Sequence, residues 1–170
     1  SEKSREITKV LSDDTEIKRV RLASYLERLT ATAANEWPNV DLSTSLPDEL
    51  VVTAIPAIES ALEELIVNAI AHNDHETPCV EVTATADDEM ALIRVADNGP
   101  GISGFDQEVL ESGTAIGTLS HGSGLGLWLV YWVIKRSNGK ISITDRDSDG
   151  TAVTISLPVV SKTSERGTQQ

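Results

Sequence analysis

The chain has 170 residues, 39% of them hydrophobic, enough for one full core without cross-links, and its single cysteine, Cys79, rules out an internal disulfide. A net charge of −13, from 27 acidic and 14 basic residues, leaves no basic patch to neutralise a phosphate backbone, which argues against a nucleic-acid surface. Three scattered histidines give no zinc spacing, and no window approaches the roughly 18–20 apolar residues of a membrane span.

Residues 1 to 18 are polar and without apolar period, and are expected to be disordered or the frayed end of a helix. From Val20 to about Asn35, Val20, Leu22, Tyr25, Leu26, Leu29 and Ala33 recur at helical spacing, and Trp37-Pro38 closes the helix. Val40, Leu42, Thr44 and Leu46 alternate as a strand ended by Pro47-Asp48, and Leu50 to Thr53 form a second short one.

Pro56 suits the first turn of a helix running to about His72. Ile58, Leu62, Leu65, Ile66 and Ala69 gather on its apolar face, while Glu64, Asn68 and His72 form a polar stripe beside it. A solvated helix side would give the same stripe, so the stripe alone decides nothing. Two strands come next, about Cys79 to Ala86 and Met90 to Ala96, joined by the turn Asp87-Asp88-Glu89.

The latter strand runs into Asp97-Asn98-Gly99-Pro100-Gly101-Ile102. From Ser103 to His121 the chain is rich in Gly, Ser and Thr, with one short helical piece, Gln107 to Glu111, and reads as a lid. Gly122-Ser123-Gly124-Leu125-Gly126-Leu127 then opens an apolar helix, Gly124 to Arg136, stopped by Ser137-Asn138-Gly139. Lys140 to Asp145 and Thr151 to Leu157 read as a hairpin, Pro158 ends the sheet, and 161–170 are a loose polar tail. The order helix, strand pair, helix, strand pair, lid, helix, strand pair predicts a largely antiparallel sheet covered on one face by about three helices.

These pieces describe a nucleotide pocket. The Asp97 carboxylate can accept from an exocyclic amino group on a base. The glycine cluster lets backbone N–H groups at a helix start approach phosphate oxygens, aided by the helix dipole.

In this order, the stripe, Asp97 to Ile102 and Gly122 to Leu127 resemble the ATP-binding domain of sensor histidine kinases, part of the superfamily shared with gyrase, a heat-shock chaperone and mismatch-repair ATPases. The resemblance spans about Trp37 to Val160, and Gly150 to Pro158 is similar to the family's closing strand. It implies a Bergerat-type α+β two-layer sandwich that binds ATP and Mg²⁺. By the same resemblance, Asn68 ligates the metal and Asp97 accepts from the adenine amino group. Gly99 and Gly101, with Ile102, pass close to the base, and Thr151 supports the adenine site. His72 lies beside ribose and phosphates, and His121, Gly122, Ser123, Gly124, Leu125 and Gly126 shape the hinge and the phosphate-facing helix start.

Two positions depart from the family pattern: Glu64 stands where many sensor kinases have a second Asn, and Ala71 where they have Lys. Glu64 is the candidate catalytic acid, orienting metal-bound water or assisting transfer. The missing Lys is not replaced from the lid, which carries no Lys or Arg from Ser103 to Ser120. A kinase of this kind delivers the γ-phosphoryl to a histidine on separate dimerisation helices, and none of His72, His75 or His121 has that setting. The chain opens on Ser1 rather than Met, so it is expected to be a piece of a longer, homodimeric protein whose acceptor lies upstream and whose product passes to a response-regulator receiver domain. On this reading 1–36 is the tail of, or linker from, a missing dimerisation domain, 37–160 the ATP-binding domain and 161–170 a disordered tail. A stand-alone ATPase, an anti-sigma-type serine kinase and a pseudo-kinase share the pocket. The acidic balance with few lysines and many Ala, Thr and Val fits a high-salt cytoplasm, so a haloarchaeal, cytoplasmic protein is expected.

Overall fold

In β4 (Cys79–Ala86), Val80, Val82 and Ala84 alternate with Glu81, Thr83 and Thr85; in β5 (Met90–Asp97), Ala91, Ile93 and Val95 alternate with Leu92 and Arg94. In the computed structural model the aliphatic series Val80, Val82, Ala84 and Ala91, Ile93, Val95 is buried, and the alternating residues face outward, Leu92 being 46% exposed. The structure describes Arg5 and residues 15–102, 104–113, 122–145 and 150–160, leaving aside the side chains of 105, 122–125 and 145. The expected frayed start and polar tail therefore fall, for the most part, outside the described residues.

The main sheet is five-stranded, in the order β2 (Asp41–Ser45), β4, β5, β7 (Thr151–Pro158), β6 (Lys140–Asp145). β2 runs parallel to β4 and every other pair is antiparallel. Helices α1 (Leu22–Glu36), α2 (Ile58–Ala71), α3 (Gly104–Ser112) and α4 (Gly122–Arg136) accompany it. Leu62 and Ile66 of α2 and Leu129, Val130 and Val133 of α4 meet Val82, Ile93, Ile155 and Leu157 of the sheet in one buried cluster. This is the expected two-layer, mixed and mostly antiparallel architecture. No helix among the described residues is long and apolar enough to cross a membrane.

Several local expectations are corrected. Val20 does not begin a helix: it lies in β1 (Lys18–Arg21), opposite Val52 of β3 (Val51–Ala54), and α1 starts only at Leu22. Pairing with β3, continued by Leu22 N–H donating to the Leu50 carbonyl at 2.8 Å, overrides the helical spacing. β2 and β3 do not pair with each other. β2 joins the edge of the main sheet, its parallel run with β4 requiring the long crossover that α2 supplies, while β3 pairs with β1 in a small second sheet. α3 is longer than the piece expected between Gln107 and Glu111, and α4 opens two residues early, at Gly122. Pro158 ends β7 as expected, and beyond it Val159 makes an isolated bridge to Val52 of the small second sheet.

Residues 22–36 pack into the same core, with Leu22, Ala23, Leu26 and Ala33 buried in it. Tyr25 OH donates to the Glu59 carbonyl at 2.7 Å, tying α1 to α2. α4 is packed less evenly than its apolar sequence predicts. Leu127, Leu129, Val130, Val133 and Ile134 are buried, while Tyr131 and Trp132 lie partly outward under Lys135 and Arg136, at 5.7 and 4.8 Å from the ring centres. At the end of α4, fully buried Ser137 accepts through Oγ from Ile55 N–H at 3.0 Å, pinning the helix to the β3–α2 junction.

Two outcomes are expected. Ser137→Ala strands the buried Ile55 N–H and lowers unfolding free energy by about 1–3 kcal/mol, read from urea curves. Burial, then the Glu63 and Glu59 charges, push the Tyr25 phenol up to about 12 from 10.0. The folded state thus holds its proton longer than the unfolded chain, so stability present below pH 10 falls as pH rises from 10 towards 12. Tyr25→Phe flattens that part of a stability-versus-pH curve.

Candidate nucleotide-binding site

The C-terminal half of α2, the end of β5, the start of β7, α3 and the early part of α4 line an open cleft. Its floor is apolar, from Leu65, Ala69, Val95, Leu127 and Val153; its polar groups are Asn68, His72, Asp97, Asp106 and Thr151.

Asp97 is the last residue of β5, paired with Val80. Its Oδ1 accepts from Gly99 N–H at 2.9 Å, an Asx turn that fixes the carboxylate as the chain leaves the sheet. Gly150 precedes β7 with φ 101°, and a Cβ there would overlap the Asp97 carbonyl. The backbone of Gly150 therefore lies directly on that of Asp97, and Thr151 opens β7 at the same end of the sheet. Thr151 Oγ1 is buried with no hydrogen-bond partner among the described residues.

Asn68 stands across the cleft on α2, one turn before the helix ends, and its Nδ2 is likewise buried and unpartnered among the described residues. Leaving such a group unmet costs about 1–3 kcal/mol, so both call for a polar partner, water or ligand, from outside the described residues. His72, the C-cap of α2, is exposed at the rim. Glu64 is half-buried and reaches α4: a Cβ on Gly126 would overlap its Oε1.

Of the residues expected at the site, Asn68, His72, Asp97, Gly101, Ile102 and Thr151 line one cleft. Gly99 is buried behind Asp97, and Glu64 and Gly126 meet each other at the α2–α4 contact rather than in the lining. Gly122, Ser123, Gly124 and Leu125 form the first turn of α4, their side chains outside the described residues, as is His121. Sequence reasoning missed Gly150 as a site element, although its place before Thr151 was visible. It also missed Asp106, which only the α3 fold brings in, and the floor residues Leu65 and Ala69, assigned simply to the core. Among the described residues lining the cleft there is no Lys or Arg.

The two glycine contacts differ in what must move. Gly150→Ala meets backbone in a left-handed conformation, and is expected to lower unfolding free energy by about 2 kcal/mol or more. Gly126→Ala meets only the movable tip of Glu64 and gains helix propensity, so its cost stays below about 1 kcal/mol and vanishes in a Glu64→Ala background. Paired denaturant curves check both.

Comparison with known proteins fits this geometry. The family described as histidine kinase-, DNA gyrase B- and HSP90-like ATPase matches residues 53–161. The sensor protein EvgS of Escherichia coli O157:H7 is 32% identical over 138 residues, 76% of this chain and 11% of EvgS. The sensor-type histidine kinase PrrB of Mycobacterium bovis is 30% identical over 142 residues, 82% of this chain and 31% of PrrB. The chain thus spans a third or less of the length of these relatives. Among solved structures, the catalytic domain of histidine kinase ThkA superposes with a TM-score of 0.71 at 22% identity, covering 84% of this chain and 97% of that one. Full-length ShkA in complex with AMPPNP gives 0.74 at 16%, covering 94% and 35%. The fold is shared with both, and the chain belongs to the histidine kinase-, DNA gyrase B- and HSP90-like ATPase family.

Proposed function

We propose that this chain is the ATP-binding catalytic domain of a two-component sensor histidine kinase. The observation that carries the reading is the pair of buried polar groups without a hydrogen-bond partner among the described residues, Asn68 Nδ2 and Thr151 Oγ1, in one cleft with Asp97. Asp97 accepts from the adenine amino group, Thr151 supports the same end, and the apolar floor takes the base. Gly99, Gly101 and Ile102 carry the backbone past it.

Asn68 is the residue that would hold Mg²⁺. Its amide can offer an oxygen to a hard cation that keeps several waters, while its nitrogen gains a phosphate acceptor. When bound, the metal would supply positive charge that neutralises the phosphates. His72 borders ribose and phosphates, and His121 with Gly122 to Gly126 closes the phosphate end. Glu64, one turn before Asn68 and against α4, orients a water or the incoming group there. The domain contributes positioning and charge; the acceptor imidazole gains the γ-phosphoryl and ADP leaves.

The acceptor histidine and its dimerisation helices belong to other parts of a longer homodimeric protein, for which the 11% and 31% shares of EvgS and PrrB leave room, and the phosphoryl passes onward to a response-regulator receiver domain as partner. Residues 1–36 would lead from those helices. This chain alone is therefore expected to bind Mg-ATP with little self-phosphorylation.

Calorimetry with ATP and GTP, with and without magnesium, tests the reading. Asn68→Ala is expected to weaken Mg-ATP binding by about 100-fold, and Asp97→Ala to erase the preference for ATP over GTP. Ala71→Lys, restoring a cation where the family has one, is expected to tighten metal-free ATP. Unchanged binding in the first two variants overturns the assignment.

A further inference from the structure

Beside Asp97 stands an amide to which the proposed function gives no role. Asn98 Oδ1 accepts from Asn73 Nδ2 and from Cys79 N–H, both at 2.8 Å, and Asn98 Nδ2 donates to the Thr77 carbonyl at 3.0 Å. The orientation of the amide is dictated by its partners. Cys79 N–H can only donate and the Thr77 carbonyl can only accept, so a flipped amide would lose both bonds. Asn98 N–H also donates to the Cys79 carbonyl at 3.3 Å, one position beyond the last β4–β5 pair, Val80 with Asp97.

A strand-end tie needs only Cys79. The bond to Asn73 goes further, because Asn73 directly follows the end of α2. His72 N–H and Asn73 N–H close that helix on the carbonyls of Asn68 and Ile70, at 3.1 and 3.3 Å. Asn73 Oδ1 in turn accepts from His75 N–H at 3.0 Å, so its amide is held while it reaches Asn98. The backbones also touch: a Cβ on Gly99 would stand 3.4 Å from Asn73 Cα.

The Asn73–Asn98 pair thus spans from the wall bearing Asn68 and His72 to the wall bearing Asp97. We infer that Asn98 is a positioning residue: its amide clasps the exit of α2 to the end of β5 and so sets the spacing between the phosphate-side helix and the base-reading carboxylate. The inference rests on the nucleotide reading of the cleft, in which Asp97 selects the base. Without the clasp, the Asp97–Gly99 turn keeps its backbone ties to β4 and its contact with Gly150, but its carboxylate loses registration with α2. Base selectivity, not merely stability, then depends on a residue that does not line the cleft.

The test measures Mg-ATP and Mg-GTP affinities by calorimetry on the whole chain for Asn98→Ala, Asn73→Ala and the double variant, with urea unfolding alongside. Asn98→Ala is expected to lower the ATP-over-GTP preference about tenfold. Asn73→Ala is expected to lose part of it, and the double variant to lose no more than Asn98→Ala. A preference at the wild-type ratio in Asn98→Ala, with only the unfolding midpoint reduced, overturns the inference, as does full additivity of the two variants. If Asn98→Ala does not fold, Asn73→Ala, which breaks the same bond from the α2 side, carries the test: part of the preference is expected to go, and a preference at the wild-type ratio overturns the inference. Asp97→Ala separates the two levels. If it keeps the wild-type preference, the nucleotide reading falls and the clasp with it; if it loses the preference while Asn98→Ala keeps it, only the clasp falls.

Discussion

The close approach of the Gly150 backbone to the Asp97 carbonyl is the constraint around which this protein is arranged. It leaves no room for a side chain at 150. It sets the ends of β5 and β7 side by side, so that a carboxylate and a buried hydroxyl emerge together from the sheet. Everything else at the cleft is hung on helices that must fit against this rigid edge. The floor is apolar because it is the rim of the core itself: Leu65, Val95, Leu127 and Val153 belong both to the buried cluster and to the lining. The site therefore inherits the stiffness of a packed interior.

Charge is distributed unevenly along the molecule. Strand register puts Thr151 at the cleft end of β7 and Ser156, opposite Lys140, towards the other. Lys135 and Arg136 close α4 on its far end, and Arg94, which pairs with Glu81 at 3.5 Å, sits on the open face of the sheet. The described lining of the cleft holds the carboxylates Asp97 and Asp106 and no lysine or arginine. A polyanionic ligand entering such a place would gain little from the described lining side chains, which leaves backbone N–H groups and bound cations to meet its charge. The substitution of Ala71 for the lysine expected from the family pattern is thus one element of a broader electrostatic pattern.

Much of this was legible in the residues. The period-2 runs of β4 and β5 and the 3.6 period of α2 gave elements close to those observed, because each buries one face and exposes the other. The stripe on α2 was readable for the same reason: its position is fixed by helix geometry. Partnership, by contrast, could not be read. Val20 fits a helix and a strand equally until β3 lies beside it, and β2 and β3 resemble a hairpin until β4 draws β2 into the main sheet. Asp106 and Gly150 enter the cleft only through tertiary packing, and the bonds of Asn98 depend on a segment some twenty residues earlier, as its partner Thr77 shows at a separation of 21.

The position of β7 within the sheet has a consequence for how the domain comes into being. It is the last of the sheet's strands to be synthesised, yet it lies inside the sheet between β5 and β6 and brings Thr151 and Val153 to the cleft. A nascent chain leaving the ribosome can form its α2–β4–β5 portion early, but it carries a gap along β5 until β7 emerges. Completion of the cleft therefore waits for that strand, and a chain cut short before Thr151 lacks two of the lining residues, Thr151 and Val153.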